Sequence, residues 1–286
     1  MKLIRVGAPG AEVPGVLGPD EARYDVSSIT GDFDAAFFAA GGIATLQAAW
    51  DSGAIARLPL LDPQARLGAP IARPGNVVCA GLNYVDHAVE SKMAIPDEPV
   101  LFNKAPNTVV GPYDDIVVPR GATKLDYEVE LGVVIGAPCR YLDSPDAVWS
   151  RIAGYVVSND VSERAFQIER GGQWVKGKSA ETFNPCGPWL VTADEFDPRA
   201  GVSLWLDVNG ERRQTGSTSD MIFPVDVLVH YISQFLVLDP GDLVNTGTPP
   251  GVAMGMANPA WLQQGDVVTL GIDGLGQQRS TCIAAR

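Results

Sequence analysis

The residues with the clearest chemical potential sit in DYEVELGVVIG, Asp126 to Gly136. Tyr127, Val129, Leu131 and Val133 alternate with Glu128 and Glu130, the period-2 pattern of a half-buried strand, so both glutamates share one face. Side chains two apart on a strand leave Cα positions roughly 6.6 Å apart. Two bare carboxylates at that separation repel by about 2.5 kcal/mol for an effective dielectric of roughly 20. A hard divalent cation relieves the repulsion, because Mg2+ accepts carboxylate oxygens and keeps water or substrate on its other positions. The plain alternative is an exposed edge strand with its polar face in water.

Downstream, GYVVSNDVSERAFQ runs an apolar strand from Gly154 into Asn159 and Asp160. A carboxylate at the end of a buried strand is well placed as a third ligand. Three carboxylates and Mg2+ sum to about one negative charge and leave about three of six octahedral positions open, two for a chelating 2-oxo acid and one for water. The competing role for Asp160 is an N-cap. If a short helix starts there, Arg164 and Gln167 stand at i,i+3 on one face, as donors to a substrate carboxylate or as a solvated surface pair.

His87 and Glu90, in GLNYVDHAVE, have the same spacing after a strand ending near Ala80. One helical turn places them side by side, so that Glu90 orients the imidazole and raises its basicity toward that of a general base. The bland reading is an exposed pair. His230, between Val229 and Tyr231 in an apolar helix, reads as packing. With these two histidines alone, a three-histidine zinc site is excluded, and any Ser-His-Asp or Cys-His mechanism must use one of them.

GQWVKGKS, Gly172 to Ser179, matches the P-loop expression letter for letter. That mechanism needs an apolar strand before the loop and a helix after it. Here SERAFQIERG precedes it, and Pro185 and Gly187 stop any long helix. Lys178 is of interest instead as a cation that stabilises negative charge developing on a carbonyl or enolate. DPGDLVNTGTPPGV, Asp239 to Val252, is a strand entering a rigid turn, able to hold backbone amides and the Thr248 hydroxyl against a carboxylate, or simply a hairpin turn.

The elements that must position these residues are mostly strands. Residues 1 to 72 read as a small N-terminal α+β domain, with a strand near Leu3 to Val6 and an Ala-rich helical patch around Ala35 to Trp50. Pro59, Pro63, Pro70 and Pro74 mark the joint. Residues 73 to 286 carry many short β runs and two helical segments, Ser144 to Ile152 and Val225 to Leu236. Such a pattern argues for a β-dominated α+β sheet or roll and against a doubly wound fold.

The chain has 286 residues, 46% hydrophobic and 19% charged, with a net charge of -13. That balance fits an ordinary globular protein and disfavours nucleic-acid or anionic-membrane partners. The four scattered cysteines, the lack of an apolar leader before Pro9 and the lack of an apolar run of spanning length lead us to expect a reduced, cytoplasmic protein.

Taken together and in this order, GLNYVDHAVE, LFNKAPNTVVGPYDDIVVP, DYEVELGVVIG, GYVVSNDVSERAFQ, KGKSAETFNPCGPW and NTGTPPGV resemble the fumarylacetoacetate hydrolase family over about Pro74 to Ile283. The resemblance implies a mixed β-roll behind a small N-terminal domain, and a homodimer. It also implies Mg2+ or Mn2+ on Glu128, Glu130 and Asp160, and a lid dyad of His87 and Glu90. Arg164, Gln167, Lys178 and Thr248 would contact a 2-oxo acid, with Lys178 also catalytic. SERAFQIERGGQWVKGK looks most like the branch acting on 2,4-dioxo-3-deoxy sugar acids from L-rhamnonate or L-fuconate, often labelled ureidoglycolate lyase. The expected activity is hydrolysis of the C3-C4 bond, giving pyruvate and lactate in L-rhamnose catabolism. Fumarylpyruvate or acylpyruvate hydrolysis, oxaloacetate decarboxylation and, from another class, P-loop nucleotide binding are the alternatives.

Overall fold

The computed structural model describes residues 1–90 and 94–285. Its framework is a nine-stranded mixed sheet. In spatial order the strands are Arg23–Asp25, Val13–Leu17, Lys2–Val6, Leu190–Thr192, Ile152–Asn159, Val129–Ile135, Leu243–Asn245, Val77–Gly81 and Val100–Lys104. Within this sheet, among the described residues, only Leu243–Asn245 and Val77–Gly81 pair in parallel. A second sheet of five strands, Glu211–Ser217, Ser203–Val208, Val267–Ile272, Gly276–Ala284 and Ile116–Val118, faces it. This is the β-dominated, mixed roll that the strand pattern predicts.

Alternation along Val129–Ile135 sets the layers. Val129, Leu131 and Val133 point into the core between the sheets, against Leu204, Leu206, Val268 and Leu270. Val134 belongs to the opposite face, with Val156, Leu190 and Leu243, and packs with Phe33, Phe37 and Leu46. Burying a Val, Leu or Phe side chain contributes about 1.5–3 kcal/mol each, so this two-sided burial fixes the strand's register firmly. The segment 1–72 thus shares both a sheet and a core with the rest, through Lys2 and Leu3 against Val191 and Leu190.

Helices are few. Ala35–Ala39 and Gly42–Asp51 form in the predicted Ala-rich patch, and Val225–Ile232 forms where the apolar stripe predicts it. The Ser144 to Ile152 segment is instead a 3-10 helix, Pro145–Arg151, whose wider-pitched turns suit a short connector. His230 lies in Val225–Ile232, away from the chemical residues, as the packing reading expects. Among the described residues no helix is long and apolar enough to cross a membrane, and all four cysteines are buried free thiols.

Candidate active site

Register builds the site. Strand Ile152–Asn159 runs antiparallel to Val129–Ile135 with Ser158 opposite Glu130 and Asn159 opposite Val129. The ladder continues for one more bond, Asp160 N donating to Glu128 O at 2.9 Å, so Asp160 comes opposite Glu128. Cross-strand partners share a face. Glu128, Glu130 and Asp160 therefore converge at one end of one face, with a ligand oxygen from each within 4.8 Å of the others. Glu128 precedes the strand proper, which begins at Val129.

All three carboxylates are essentially out of water, Asp160 fully and Glu130 to 1% exposure, which rules out the exposed-edge alternative. Lys178 Nζ donates to Glu128 Oε2 at 2.7 Å and to Asp160 Oδ2 at 2.8 Å. Lys104 donates to the other Asp160 oxygen and to Val161 O. Arg164 forks between Asp126, 2.9 Å from Nε, and Glu128, 2.6 Å from Nη2. Glu130 alone has no ion pair among the described residues, and accepts only from Gly247 N at 2.8 Å.

Four buried carboxylates, Asp126, Glu128, Glu130 and Asp160, face three buried cations, Lys104, Arg164 and Lys178, an excess of one negative charge. Burial opposes the charge of Glu128, but Arg164 and Lys178 outweigh it and hold this carboxyl well below the ordinary range. Burial and then the charges of Asp160 and Glu128 push Glu130 well above it. A buried, all-oxygen, net-negative trio whose ligand atoms lie within 4.8 Å of one another fits a hard divalent cation, which Glu128, Glu130 and Asp160 would hold.

The helix Arg164–Ile168 begins at Glu163, whose carboxylate accepts from Phe166 N. Glu163 and not Asp160 is the N-cap, which leaves Asp160 free for the carboxylate cluster. Arg164 and Gln167 do share a face, Nη1 donating to Gln167 Oε1 at 3.1 Å. The P-loop letters fold into a four-residue helix, Val175–Lys178, after a helix rather than a strand. Its lysine is spent on carboxylates, so the nucleotide reading has no structural support.

His87 and Glu90 lie on the helix Val85–Glu90. The imidazole is buried, and its Nδ1, 3.7 Å from Glu90 Oε1, has no hydrogen-bond partner. Glu90 is held instead by Gly251 N, at 2.8 Å to Oε2. The Asp239 to Val252 turn thus does present amides to carboxylates, those of Glu130 and Glu90. The Thr248 hydroxyl donates to Val129 O and accepts from Gln214 Nε2.

A cavity of about 210 Å3 gathers His87, Glu128, Glu130, Arg164, Lys178 and Thr248, together with Gln167. Glu90 and Asp160 stand behind it. Two residues of the cluster escape the sequence reasoning, Lys104 and Asp126. Asp126 continues the 126, 128, 130 alternation, a signal that was available; it accepts from Ala253 N and Met254 N besides Arg164. Nothing in the spacing points to Lys104.

A mixed β-roll with a buried carboxylate trio, a buried imidazole and clustered cations around one cavity is the arrangement this chain presents. The chain belongs to the fumarylacetoacetate hydrolase family, whose C-terminal-domain model, Fumarylacetoacetate (FAA) hydrolase C-terminal, matches residues 76–283. A Burkholderia multivorans protein whose name goes no further than hydrolase is 48% identical over 287 residues, covering 100% of both chains. The fumarylacetoacetate hydrolase of the psychrophile Exiguobacterium antarcticum superposes with a TM-score of 0.86 at 36% identity, over 100% of both chains. Maleylpyruvate hydrolase of Sphingobium sp. SYK-6, solved with manganese(II) and pyruvate, does so with a TM-score of 0.81 at 25% identity, again over 100% of both.

Proposed function

We propose that this protein hydrolyses the C3-C4 bond of a 2,4-dioxo acid with the help of a divalent cation, Mg2+ or Mn2+, held by Glu128, Glu130 and Asp160. The observation that carries the reading is the convergence of three buried carboxylates, two of which line one cavity with His87. When bound, the cation would supply Lewis acidity toward the 2-oxo acid. Arg164, Gln167 and Lys178 bind the substrate's carboxylate end, and Thr248 lines the same cavity. His87 removes a proton from water as its oxygen adds to C4, and Glu90, anchored on Gly251, orients the imidazole. The C3-C4 electron pair stays with C3 and Lys178 faces the charge that develops on the pyruvate half. C3 then takes a proton, and the products are pyruvate and a carboxylic acid. The maleylpyruvate hydrolase solved with manganese(II) and pyruvate supports both the ion class and the product.

Two acyl classes compete for the far end of the substrate, a hydroxylated chain on the resemblance of the motifs and an apolar one on the lining of the cavity. The motif resemblance favours the hydroxylated chain of a deoxysugar acid, which would give lactate beside pyruvate. A homodimer belongs to the same reading, supported by exposed Phe235, Leu236 and Val237. Light scattering at twice the 30.3 kDa chain mass would bear it out.

The test is pyruvate release, with a stoichiometric carboxylic acid, from 2,4-dioxo acids in the presence and absence of Mg2+ or Mn2+. His87→Ala should lose it. Hydrolysis that survives a chelator, or a fully active His87→Ala enzyme, sinks the mechanism. Release of CO2 from oxaloacetate alone would replace it with decarboxylation.

A further inference from the structure

The cavity divides by chemistry. Its cations and hydroxyl, which the proposed mechanism places at the substrate's carboxylate end, each have protein partners: Arg164 has Asp126, Glu128 and Gln167; Lys178 has Glu128 and Asp160; and Thr248 has Val129 O and Gln214. His87, Glu128, Glu130 and Gln167 line it beside them, and the remaining large side chains are apolar or aromatic: Leu82, Phe102, Ile168, Trp174 and Met254.

The Phe102 and Trp174 rings meet tilted, with centroids 5.2 Å apart. The Trp174 ring lies so close to Gly81 that a Cβ there would stand 2.9 Å from it. Lys178 Nζ sits 4.8 Å from the Phe102 centroid, so this ring joins the charged end of the cavity to the apolar end. Apart from His87, Glu130 and the groups already paired, no charged side chain lines the cavity among the described residues, and each of its cations already has a carboxylate partner.

We propose that the acyl end of the substrate is uncharged and unhydroxylated, and that Phe102 and Trp174 grip it. The inference rests on the 2,4-dioxo acid reading and narrows its substrate class. A second carboxylate, as on a fumaryl or maleyl group, would face this wall without a cation. Hydroxyls laid on the apolar part of the wall would be buried against carbon, each weakening binding by about fivefold or more. Each methylene laid on the wall strengthens it by about fourfold.

The experiment compares kcat/KM with Mn2+ for 2,4-dioxopentanoate, 2,4-dioxoheptanoate, fumarylpyruvate and 2,4-dioxo-3-deoxy-rhamnonate. The heptanoate should exceed the pentanoate, and should exceed each of the last two by about tenfold or more. Trp174→Ala, checked for folding by its thermal transition, should bring the heptanoate-to-pentanoate ratio toward one. Ile168→Asn, adding a donor at an exposed part of the wall, should raise the relative rate on the hydroxylated substrate. Faster cleavage of the hydroxylated or the dicarboxylic compound by the wild type overturns the inference and leaves the hydrolase reading standing. Cleavage of none of the four overturns both.

Discussion

The Gly251 amide donates to both carboxylate oxygens of Glu90, at 2.8 and 3.1 Å, tying the His87 helix to the turn that follows Asn245. Tyr127 holds the same residue from the other side, its hydroxyl donating to Gly251 O at 3.2 Å. Gly251 has φ of 106°, and a Cβ there would fall 1.9 Å from Arg213 O, so glycine is required. Glu90 is thus fixed by backbone, with His87 Nδ1 3.7 Å away; on the proposed mechanism, closing that gap would complete the dyad.

Gly255 tests this docking from a second side. A Cβ on Gly255 would lie 2.2 Å from Glu90 Cγ and 2.3 Å from its Oε1. The clash is with a flexible carboxylate, so Gly255→Ala should fold and move Glu90. We expect hydrolysis to drop by about 10²–10⁴-fold, the usual contribution of a positioned general base, while Mn2+ affinity by calorimetry stays near wild type. Retained kcat would mean that Glu90 does not position the base.

Glu128 and Glu130 look equivalent in sequence and differ in their partners. Glu128 pairs with Arg164 and Lys178, whereas Glu130 accepts only the Gly247 amide. Removing the charge of Glu128 leaves two buried cations short of a partner, a loss of about 3–5 kcal/mol. Glu130→Gln removes the unpaired charge instead, and should be at least as stable as wild type under chelation. Urea unfolding with a chelator separates the two, and both variants should lose Mn2+ binding. Equal destabilisation would contradict this charge assignment.

The thiols give an independent check on the core. Burial pushes the Cys186 and Cys282 thiols up to about 12, the latter helped by Asp266 and Asp115, and Cys139 up to about 11. Cys79, fully buried, is likewise held well above the ordinary thiol range, by burial first and then by the charge of Asp160. Reactivity follows the thiolate and its access. A disulfide reagent should modify none of the four in the native protein at neutral pH and all four in guanidinium; rapid native labelling would contradict the packing.

The carboxylate trio was legible because strand period and strand end are local facts: 128 and 130 share a face, and an apolar run stops at 160. Its closure is not local, since it depends on the register that sets Ser158 against Glu130. Lys104 was invisible because its partner lies 56 residues away on another strand. The dyad spacing gave proximity but not the hydrogen bond, since the Gly251 amide, 161 residues on, claims the carboxylate. The N-cap alternative for Asp160 fails for a similar reason: Glu163 caps the helix and also accepts the Thr123 and Lys124 amides, a long-range anchor that the local sequence does not show.

Proton linkage offers the sharpest test of Glu130 as a ligand. Burial first, then Asp160 and Glu128, raise its carboxyl well above the ordinary glutamate range, against Lys178 and the Gly247 amide. Between the ordinary and the raised value, the folded metal-free chain therefore binds more protons here than the unfolded chain. The resulting stabilisation is full below the ordinary value and is lost as pH rises through the raised one. Glu128, depressed by Arg164 and Lys178 against burial, runs the other way: its contribution is present above the ordinary value and lost as pH falls through the depressed one. A divalent cation needs Glu130 ionised, so binding releases a proton within the Glu130 window and tightens as pH rises across it. Mn2+ calorimetry in buffers of different ionisation heat should show release approaching about one proton below the raised value and falling toward zero above it. The Tm gain on adding Mn2+ should grow over the same range. A proton count that stays flat would remove Glu130 from the ligand set.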